Sequence, residues 1–361
     1  MSLLMNLLKH CIFLVSLIHL LFSYSFADSS YQWSFPKDHG AHHDFNTEWW
    51  YFTGHLLTQQ NSTYGFELTF FRVSPFSSEL ENDWSISHLY FAHFAITDEK
   101  NKRFHFIERI NRDSFNMAGA STNTFNVWNG DWSAKETHQK LLISASSESI
   151  QLNLSLDSNT PVVLNGDDGY SVKNHESSQF SYYYSIPKLI GSGTLILENK
   201  TISISTANVW FDHEFFNSSL KAENTTPQQQ SVGELYSGWD WFAIQLDTGE
   251  NIMIAQVRSN DNNHHYYFGT WSDVKGNSKS LNSSMISLTT LKEWKSPNSS
   301  IIYPSKWAIK IPSQQIDITI TPTLANQELR LSHFNKINYW EGRSTVSGSH
   351  SGNAYVELVG Y

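Results

Sequence analysis

The chain has 361 residues, enough for two domains, and a net charge of −10 at pH 7. This acidic balance argues against nucleic acid or anionic lipid as the main partner. The single cysteine, Cys11, lies in the N-terminal leader, so the rest of the chain has no disulfide, thiolate metal site or cysteine nucleophile. Aromatic residues reach 14%, with 13 Trp, which suits β-strands and apolar pockets.

The first 27 residues have the composition of a secretory leader. A basic start precedes the apolar run 11–22, and residues 25–27 form a small-x-small cleavage pattern. We therefore expect a Sec signal peptide cleaved after Ala27 and a secreted or periplasmic protein. The apolar run is shorter than the ~20 residues a spanning helix needs, so a membrane anchor is the less favoured alternative. No stable membrane span is expected after cleavage.

Beyond the leader, short alternating or β-rich runs dominate, and almost no stretch sustains a 3.6-residue period. Turn signals about every ten residues indicate antiparallel barrels or sandwiches. A polar break, ENTTPQQQSVG at 223–233, has the composition of a linker. We predict an N-terminal domain over 28–222 and a C-terminal domain over 223–361. In chain order, strands are predicted at 49–57, 64–73, 89–97, 141–145, 151–156, 179–186, 193–204, 239–246, 251–258, 266–272, 285–293, 307–311, 316–321 and 353–359.

The stretch DHGAHHDFNTEWWYFTGH, from Asp38 to His55, concentrates ionisable and aromatic residues. His39, His42 and His43 together with Asp38 could supply metal ligands. No H-E-x-x-H or other strong metal motif occurs, however, and Asp38 to Ala41 reads as a turn. Hydrogen-bonded turn residues that rim a pocket are favoured, and no metal is predicted.

Glu48 begins the first predicted strand and shares one of its faces with Trp50. Burial on such a face would raise the pKa of the Glu48 carboxyl and make it a candidate acid. The alternative is a structural ion pair with Arg72 or Arg109. The sequence leaves both interpretations open.

A second cluster, WFDHEFF at 210–216, sets Asp212 and Glu214 on either side of His213 among aromatic residues. Asp212 could be an acid with a shifted pKa or half of a His–Asp pair. Charged groups among aromatics are costly to bury without partners, so an interdomain salt-bridge network is the alternative. A third cluster places Asp240 between two indoles at the start of a strand.

These clusters define the candidate residues. No G-x-S-x-G elbow, P-loop or dinucleotide glycine fingerprint occurs. The candidate catalytic residues are Asp212, His213, Glu214 and Asp240. The candidate ligand-binding residues are His39, His42, Glu48, Trp50, His93, Tyr183, Trp210, Trp239 and Trp241.

Six segments together resemble the AttH/CrtC family, which includes carotenoid 1,2-hydratase and predicted secreted hydrolases. They are FPKDHGAHHDFNTEWWYFTGHL, YFAHFAITD, YYYSIPKLIGSGTL, WFDHEF, WDWFAIQLDTGE and YWEGRSTVSGSHSGNAYVELVGY, and they span nearly the whole chain after the leader. The resemblance implies an all-β fold of two tandem lipocalin-like antiparallel β-barrels. The chain departs from the family pattern at Phe215 and Phe216, usually Trp-Gly, and at His43, usually Pro, so a particular substrate does not transfer.

The hydratase branch implies addition of water to a C=C bond, which needs an acid, a stabilised carbocation and a placed water. Asp212 as acid, His213 as its partner and an indole lining satisfy these needs without a metal or redox cofactor. We expect hydration of an apolar, isoprenoid or lipid-like ligand. The alternatives are lipid-ester hydrolysis, a non-catalytic lipocalin-type carrier and a purely structural two-barrel protein. Carboxylates inside the cavity would favour an enzyme, and carboxylates tied up in ion pairs a carrier.

Overall fold

The computed structural model describes residues 31–74, 86–174, 179–217, 238–258, 265–332 and 338–361. Within these ranges the only helical segments are short 3₁₀ turns at Lys37–His39, Ser114–Asn116 and Pro312–Gln314. None of the described helices has the length and apolar character needed to cross a membrane. The predicted signal peptide and the predicted domain boundary at 222–223 lie outside the described residues. Trp33–Tyr361 forms one compact unit.

The first sheet is antiparallel and nearly closes into a barrel. Its strand order is β4-β3-β2-β1-β13-β12-β9-β8-β7-β6-β5, and β10 and β11 pair with β12. Side chains of the end strand β4 reach β6, next to the other end strand: Arg109 Nη1 donates to Asn129 O at 2.9 Å, and Asn111 Nδ2 donates to Asn129 Oδ1 at 2.6 Å. The strands are β1 (Thr47–Thr58), β2 (Thr63–Val73), β3 (Leu89–Asp98), β4 (Arg103–Arg112), β5 (Ala118–Ala120), β6 (Asn126–Asn129), β7 (Trp132–Thr137), β8 (Lys140–Ser146), β9 (Ile150–Asp157), β10 (Val163–Leu164), β11 (Tyr170–Val172), β12 (Phe180–Leu197) and β13 (Lys200–Phe216).

The second sheet is also antiparallel and curves into a half-barrel. Its order is β17-β16-β15-β14-β23-β22-β20-β19-β18, with β21 beside β22. The all-β fold and the tandem lipocalin-like arrangement are thereby confirmed. The strands are β14 (Trp239–Leu246), β15 (Asn251–Val257), β16 (Tyr266–Ser272), β17 (Ser278–Asn282), β18 (Ser287–Lys295), β19 (Ile302–Ile311), β20 (Ile316–Pro322), β21 (Glu328–Arg330), β22 (Asn338–Gly348) and β23 (Gly352–Val359).

Period-2 alternation lets single strands serve two cores. Trp50 and Phe52 of β1 enter the core of the first barrel, and Phe242 of β14 enters that of the second. On each strand, the residues that alternate with these core residues point to the outer face of the sheet. The outer faces of the two sheets pack against each other. We call this layer the seam. Its buried apolar residues are Tyr51, Tyr183, Trp210, Trp241, Ala243, Met253 and Ala255.

The prediction of one strand over 193–204 is wrong, because the chain turns in the middle of it. Glu198 and Asn199 have φ of 51° and 64°, the left-handed conformation that both central residues of a type I′ hairpin turn require. Asn commonly adopts this conformation but Glu does not, and apolar residues alternate on both sides, so the pattern hides the turn. Asp212 lies on the second strand of this hairpin, β13, which is hydrogen-bonded between β1 and β12.

Candidate functional site

The alternation of β13 divides the WFDHEFF cluster between two environments. Trp210, Asp212 and Glu214 face the seam, whereas Phe211 and His213 face the interior of the first barrel. The expectation that His213 is the partner of Asp212 is therefore wrong, since successive residues of a strand point to opposite faces.

Asp212 is buried, with 3% of its surface exposed, and its side-chain partners among the described residues are neutral donors. Ser185 Oγ donates to Oδ1 at 2.5 Å, and Trp210 Nε1 donates to the same oxygen at 2.7 Å. The Tyr183 hydroxyl donates to Oδ2 and in turn accepts a hydrogen bond from Trp241 Nε1 at 3.1 Å. A chain of hydrogen bonds thus runs from an indole of the second sheet to a carboxyl of the first.

Burial raises the pKa of Asp212 to about 7, despite the opposing effect of the Ser185, Tyr183 and Trp210 donors. The charge of Glu214 raises it further. Asp212 forms no ion pair within the described part of the chain. A carboxyl that titrates near neutral pH can both hold a proton and release it, which is what a general acid requires.

Glu214 lies beside Asp212 on the same face but has a cationic partner. Lys173 Nζ lies 2.8 Å from Glu214 Oε1, and both side chains are buried. The ammonium group also lies 4.8 Å from the ring centroid of Tyr183 and 4.6 Å from that of Phe268. Glu214 is therefore held as one half of a buried ion pair. Nothing in the sequence around Lys173 distinguishes it from a surface lysine, so it was not predicted.

Two indoles of the second sheet, Trp239 and Trp241, line the seam. Trp241 packs edge-on against Tyr51, with ring centroids 5.1 Å apart, and against Trp210 at 6.2 Å. Trp239 Nε1 donates to Glu357 Oε2 at 3.3 Å. Burial raises the pKa of Glu357 to about 7, and the charges of nearby Glu214 and Asp212 add to the shift.

His93 also faces the seam, but in a different part of it from Asp212. Its Nδ1 lies 2.7 Å from the Tyr339 hydroxyl, and burial lowers its pKa to about 4, so it is neutral at physiological pH. Two further carboxyls, Glu67 and Glu341, lie in this part of the seam and accept hydrogen bonds from the hydroxyls of Thr69 and Tyr51. Sequence reasoning missed both glutamates.

The remaining candidates form a separate network inside the first barrel. Glu48 Oε1 bonds to His42 Nδ1 at 2.7 Å and to His213 Nε2 at 2.9 Å, while Glu48 Oε2 accepts from Arg72 Nε at 2.9 Å. The predicted ion pair with Arg72 is therefore present, whereas Arg109 pairs with Asp131.

The expectation of a raised pKa for Glu48 is wrong. Burial alone would raise it, but the hydrogen bonds from His213 and His42 and the charge of Arg72 outweigh burial and hold the pKa of Glu48 below its ordinary value. Glu48 is therefore a buried carboxylate anion and not a candidate proton donor.

The same network extends through Tyr184 to the entry turn. The Tyr184 hydroxyl lies 3.0 Å from His213 Nδ1 and 2.7 Å from His39 Nδ1, and Trp50 Nε1 donates to His39 O at 3.0 Å. Burial lowers the pKa of His39 to about 4. Most residues of the opening cluster are thus structural partners of one another.

One donor set in this network has the composition of a metal site. Ligand atoms of His42, Glu48 and His213 lie within 4.8 Å of one another. Both histidines already bond to Glu48 Oε1, and the Arg72 guanidinium on the same carboxylate opposes a second positive charge. The set could hold a cation only by giving up these bonds.

The sequence matches a known protein family over most of its length. The model of the AttH-like family matches residues 27–361. The chain belongs to the AttH-like family. No curated protein sequence matches it.

Two crystal structures show how far the family likeness reaches. An AttH-type protein from Nitrosomonas europaea superposes with a TM-score of 0.79 at 29% identity, over 92% of this chain and 98% of that chain. Kievitone hydratase from Nectria haematococca superposes with a TM-score of 0.69 at 17% identity, over 92% of this chain and 94% of that chain. The second likeness shows a shared fold.

In this AttH-like chain Asp240 lies apart from Asp212. It occupies the opposite face of β14 from Trp239 and Trp241, pairs with Arg258, and accepts hydrogen bonds from the Tyr361 hydroxyl at 2.8 and 2.9 Å. Burial raises the pKa of Asp240 to about 6, against the opposing charge of Arg258. The two candidate aspartates therefore do not form one site.

An open cavity of about 170 Å³ lies elsewhere on the AttH-like fold. Residues of both sheets line it, among them Pro161, Val163, Pro187, Ile190, Asn251 and Val274. None of the candidate site residues contributes to it. Asp212 and Glu214 are instead buried in the seam.

Proposed function

We propose that the protein hydrates a C=C bond of an apolar, isoprenoid or lipid-like ligand bound in the seam, with Asp212 as the acid. One observation carries the proposal: Asp212 is a buried carboxyl with a pKa of about 7, without an ion-pair partner among the described residues, beside two indoles and a tyrosine. The likeness of fold to a hydratase supports it.

The Asp212 carboxyl and one water account for every proton and bond of the proposed reaction. Asp212 transfers its proton to one alkene carbon, which leaves a carbocation at the other. The faces of Trp210 and Trp241 stabilise that cation, by up to about 2 kcal/mol for a desolvated cation–π contact. Water adds to the cation, and its released proton restores the Asp212 carboxyl. No step requires a metal or a redox cofactor.

Isotope incorporation tests the proposal. The protein is incubated in H₂¹⁸O with kievitone and, separately, with an acyclic carotene, and the products are examined by mass spectrometry for one added H₂¹⁸O. Asp212→Asn should lower the rate by about 100-fold or more, the usual range for loss of a general acid. Asp317→Asn, in the exposed pair with Lys310, is the control and should retain wild-type turnover. An Asp212→Asn protein that keeps wild-type turnover contradicts the acid role.

A lipocalin-type carrier is the second candidate, favoured by the ion pairs that hold Glu214 and Asp240. A carrier would bind the same probes and return them unchanged from H₂¹⁸O. Native mass spectrometry of the protein purified from its own host would detect a retained apolar ligand. The mass of that ligand, with or without added water, separates the two functions.

The proposal extends to export, with a leader removed after Ala27. The intact mass of protein recovered from the medium or periplasm would locate the cleavage. A chain retained in the cytoplasm with residues 1–27 attached would contradict export.

A further inference from the structure

Beyond Tyr51 the seam changes from an indole-lined region to a polar one. Thr53 on β1 lies directly opposite Glu67 on β2, and both side chains face the seam. Glu341 on β22 and Tyr355 on β23 approach from the second sheet. All four residues have between 0% and 1% of their surface exposed. We call these four residues the polar end of the seam.

A glycine brings the two sheets into contact beside this polar end. A Cβ added at Gly65 would lie 2.8 Å from Arg343 Cβ, so β2 and β22 touch where a side chain at residue 65 would not fit. Glu67 and Glu341 each lie two residues along their strands from this contact, on the same faces. The close approach therefore places two carboxyls from different sheets in one enclosed region.

Three atoms at the polar end lack a hydrogen-bond partner within the described residues: Thr53 Oγ1, Glu67 Oε2 and the Tyr355 hydroxyl. An unsatisfied buried polar atom costs about 1–3 kcal/mol, and native proteins rarely leave several in one place. Their convergence from three strands indicates a place that a hydrogen-bonding group occupies.

The carboxyls of the polar end suit a neutral O–H group rather than a cation. Burial raises the pKa of Glu67 to about 8, and burial with the charges of Glu67 and Glu357 raises that of Glu341 well above its ordinary value. The nearby Arg343 guanidinium pairs with Glu99 instead. Protonated carboxyls and hydroxyls can both donate to and accept from an O–H group.

Tyr51 connects the polar end to Asp212. On the first sheet it is the cross-strand neighbour of Asp212, and its hydroxyl donates to Glu341. Opposed residues on one face of an antiparallel pair have Cβ atoms about 5 Å apart. A ligand with its double bond at Asp212 would therefore extend past Tyr51 to the polar end.

We propose that Thr53, Glu67, Glu341 and Tyr355 form a second subsite of the seam, which binds an O–H group. That group is either a hydroxyl of the ligand or the water that adds to the double bond. The placement next to a catalytic acid rests on the proposed function, whereas the binding of an O–H group does not.

The test separates the two sources of the O–H group. In the first arm, quenching of tryptophan fluorescence reports the affinity for farnesol and for farnesene, a matched alcohol and hydrocarbon. A subsite for a ligand hydroxyl gives wild-type protein at least a tenfold preference for farnesol, and Tyr355→Phe and Glu67→Gln abolish it. Thr58→Val, at the end of β1 and bonded to the turn at Ser62, should leave both affinities unchanged.

In the second arm, melting temperatures are measured without ligand. A subsite for water predicts that Thr53→Val and Tyr355→Phe each melt several degrees below wild type, because the bound water loses a partner. If the protein binds neither farnesol nor farnesene, the melting temperatures alone decide whether the subsite exists. No preference for the alcohol, together with variants that melt as high as wild type or higher, overturns the proposal. Neither arm needs turnover, so loss of the Asp212 acid role would leave both results interpretable.

Discussion

The Tyr183 hydroxyl links Trp241 of the second sheet to Asp212 of the first, accepting from the indole and donating to the carboxylate. A donor to the charged form lowers a carboxyl pKa, so Tyr183 offsets part of the increase that burial causes. Because the hydrogen bonds cross the seam, packing of the two sheets determines the acidity of Asp212. Neither sheet alone would build this environment.

Tyr183→Phe should therefore raise the pKa of Asp212 above about 7, since it removes a donor and leaves the burial unchanged. Infrared difference spectroscopy would follow the protonated carboxyl band that Asp212→Asn removes. That band should persist to higher pH in Tyr183→Phe than in wild type. Tyr64→Phe, in the first barrel, is the control and should not move it. An unchanged titration would show that the hydroxyl does not tune the carboxyl.

Stability should fall as pH rises through the range in which Asp212 ionises. The folded-state pKa of about 7 exceeds the ordinary value of 3.8, so the folded protein holds a proton that the unfolded chain has lost. The stabilisation is complete below about pH 4 and is lost as pH rises through 7. Asp212→Asn should make the fall in the free energy of unfolding less steep, by up to about 1.4 kcal/mol per pH unit, between about pH 4 and pH 7.

Urea unfolding at pH 4.5, 5.5 and 6.5 measures this slope directly. Asp317→Asn should give curves parallel to wild type, because its carboxylate lies in an exposed pair. The idea fails if Asp212→Asn also runs parallel to wild type.

Local alternation was enough to predict much of the fold. The predicted strands at 239–246 and 266–272 coincide with β14 and β16, because one face of each is apolar and turn residues bound them. The long hairpin of β12 and β13 was missed, because its two turn residues, Glu198 and Asn199, interrupt no apolar pattern. The partly buried β4, RFHFIERINR, was missed because neither of its faces is clearly apolar.

The sequence predicts a site residue only where one short segment contains both the ionisable residue and its aromatic surroundings. Asp212 stands out as a carboxylate among aromatics in a single stretch of chain. Glu67 and Glu341 do not, because each becomes buried through contacts between sheets. Tyr51 and Glu341 are 290 residues apart and meet only through the packing of β1 against β22. Sequence patterns predict which residues share a face of a strand, but they do not predict which faces pack against each other.

Lys173→Met should destabilise the protein by roughly 3 kcal/mol, because it leaves the buried Glu214 carboxylate without its cation. Denaturant unfolding at pH 7 gives the value. The double variant Lys173→Met/Glu214→Gln should recover much of the loss, since no unpaired charge remains. Lys310→Met, in the exposed pair with Asp317, should change stability by less than about 1 kcal/mol. Equal effects of the buried and exposed lysines would contradict the role assigned to Lys173.

Glu48→Gln should destabilise the protein with the opposite pH dependence to Asp212→Asn. The folded-state pKa of Glu48 lies below its ordinary value of 4.5, so its stabilisation is present above that pH and is lost as pH falls below it. At pH 7 the variant leaves Arg72 buried without its anion, a loss of roughly 3–5 kcal/mol. Urea unfolding should show this gap narrowing below about pH 4.5.

The control is Glu198→Gln, in the exposed pair with Arg103, which should cost less than about 1 kcal/mol. A gap that widens, rather than narrows, as pH falls from 7 towards 4.5 would mean that Glu48 is protonated in the folded protein. Glu48 would then be a proton donor inside the first barrel, and the assignment of acid chemistry to the seam alone would fail.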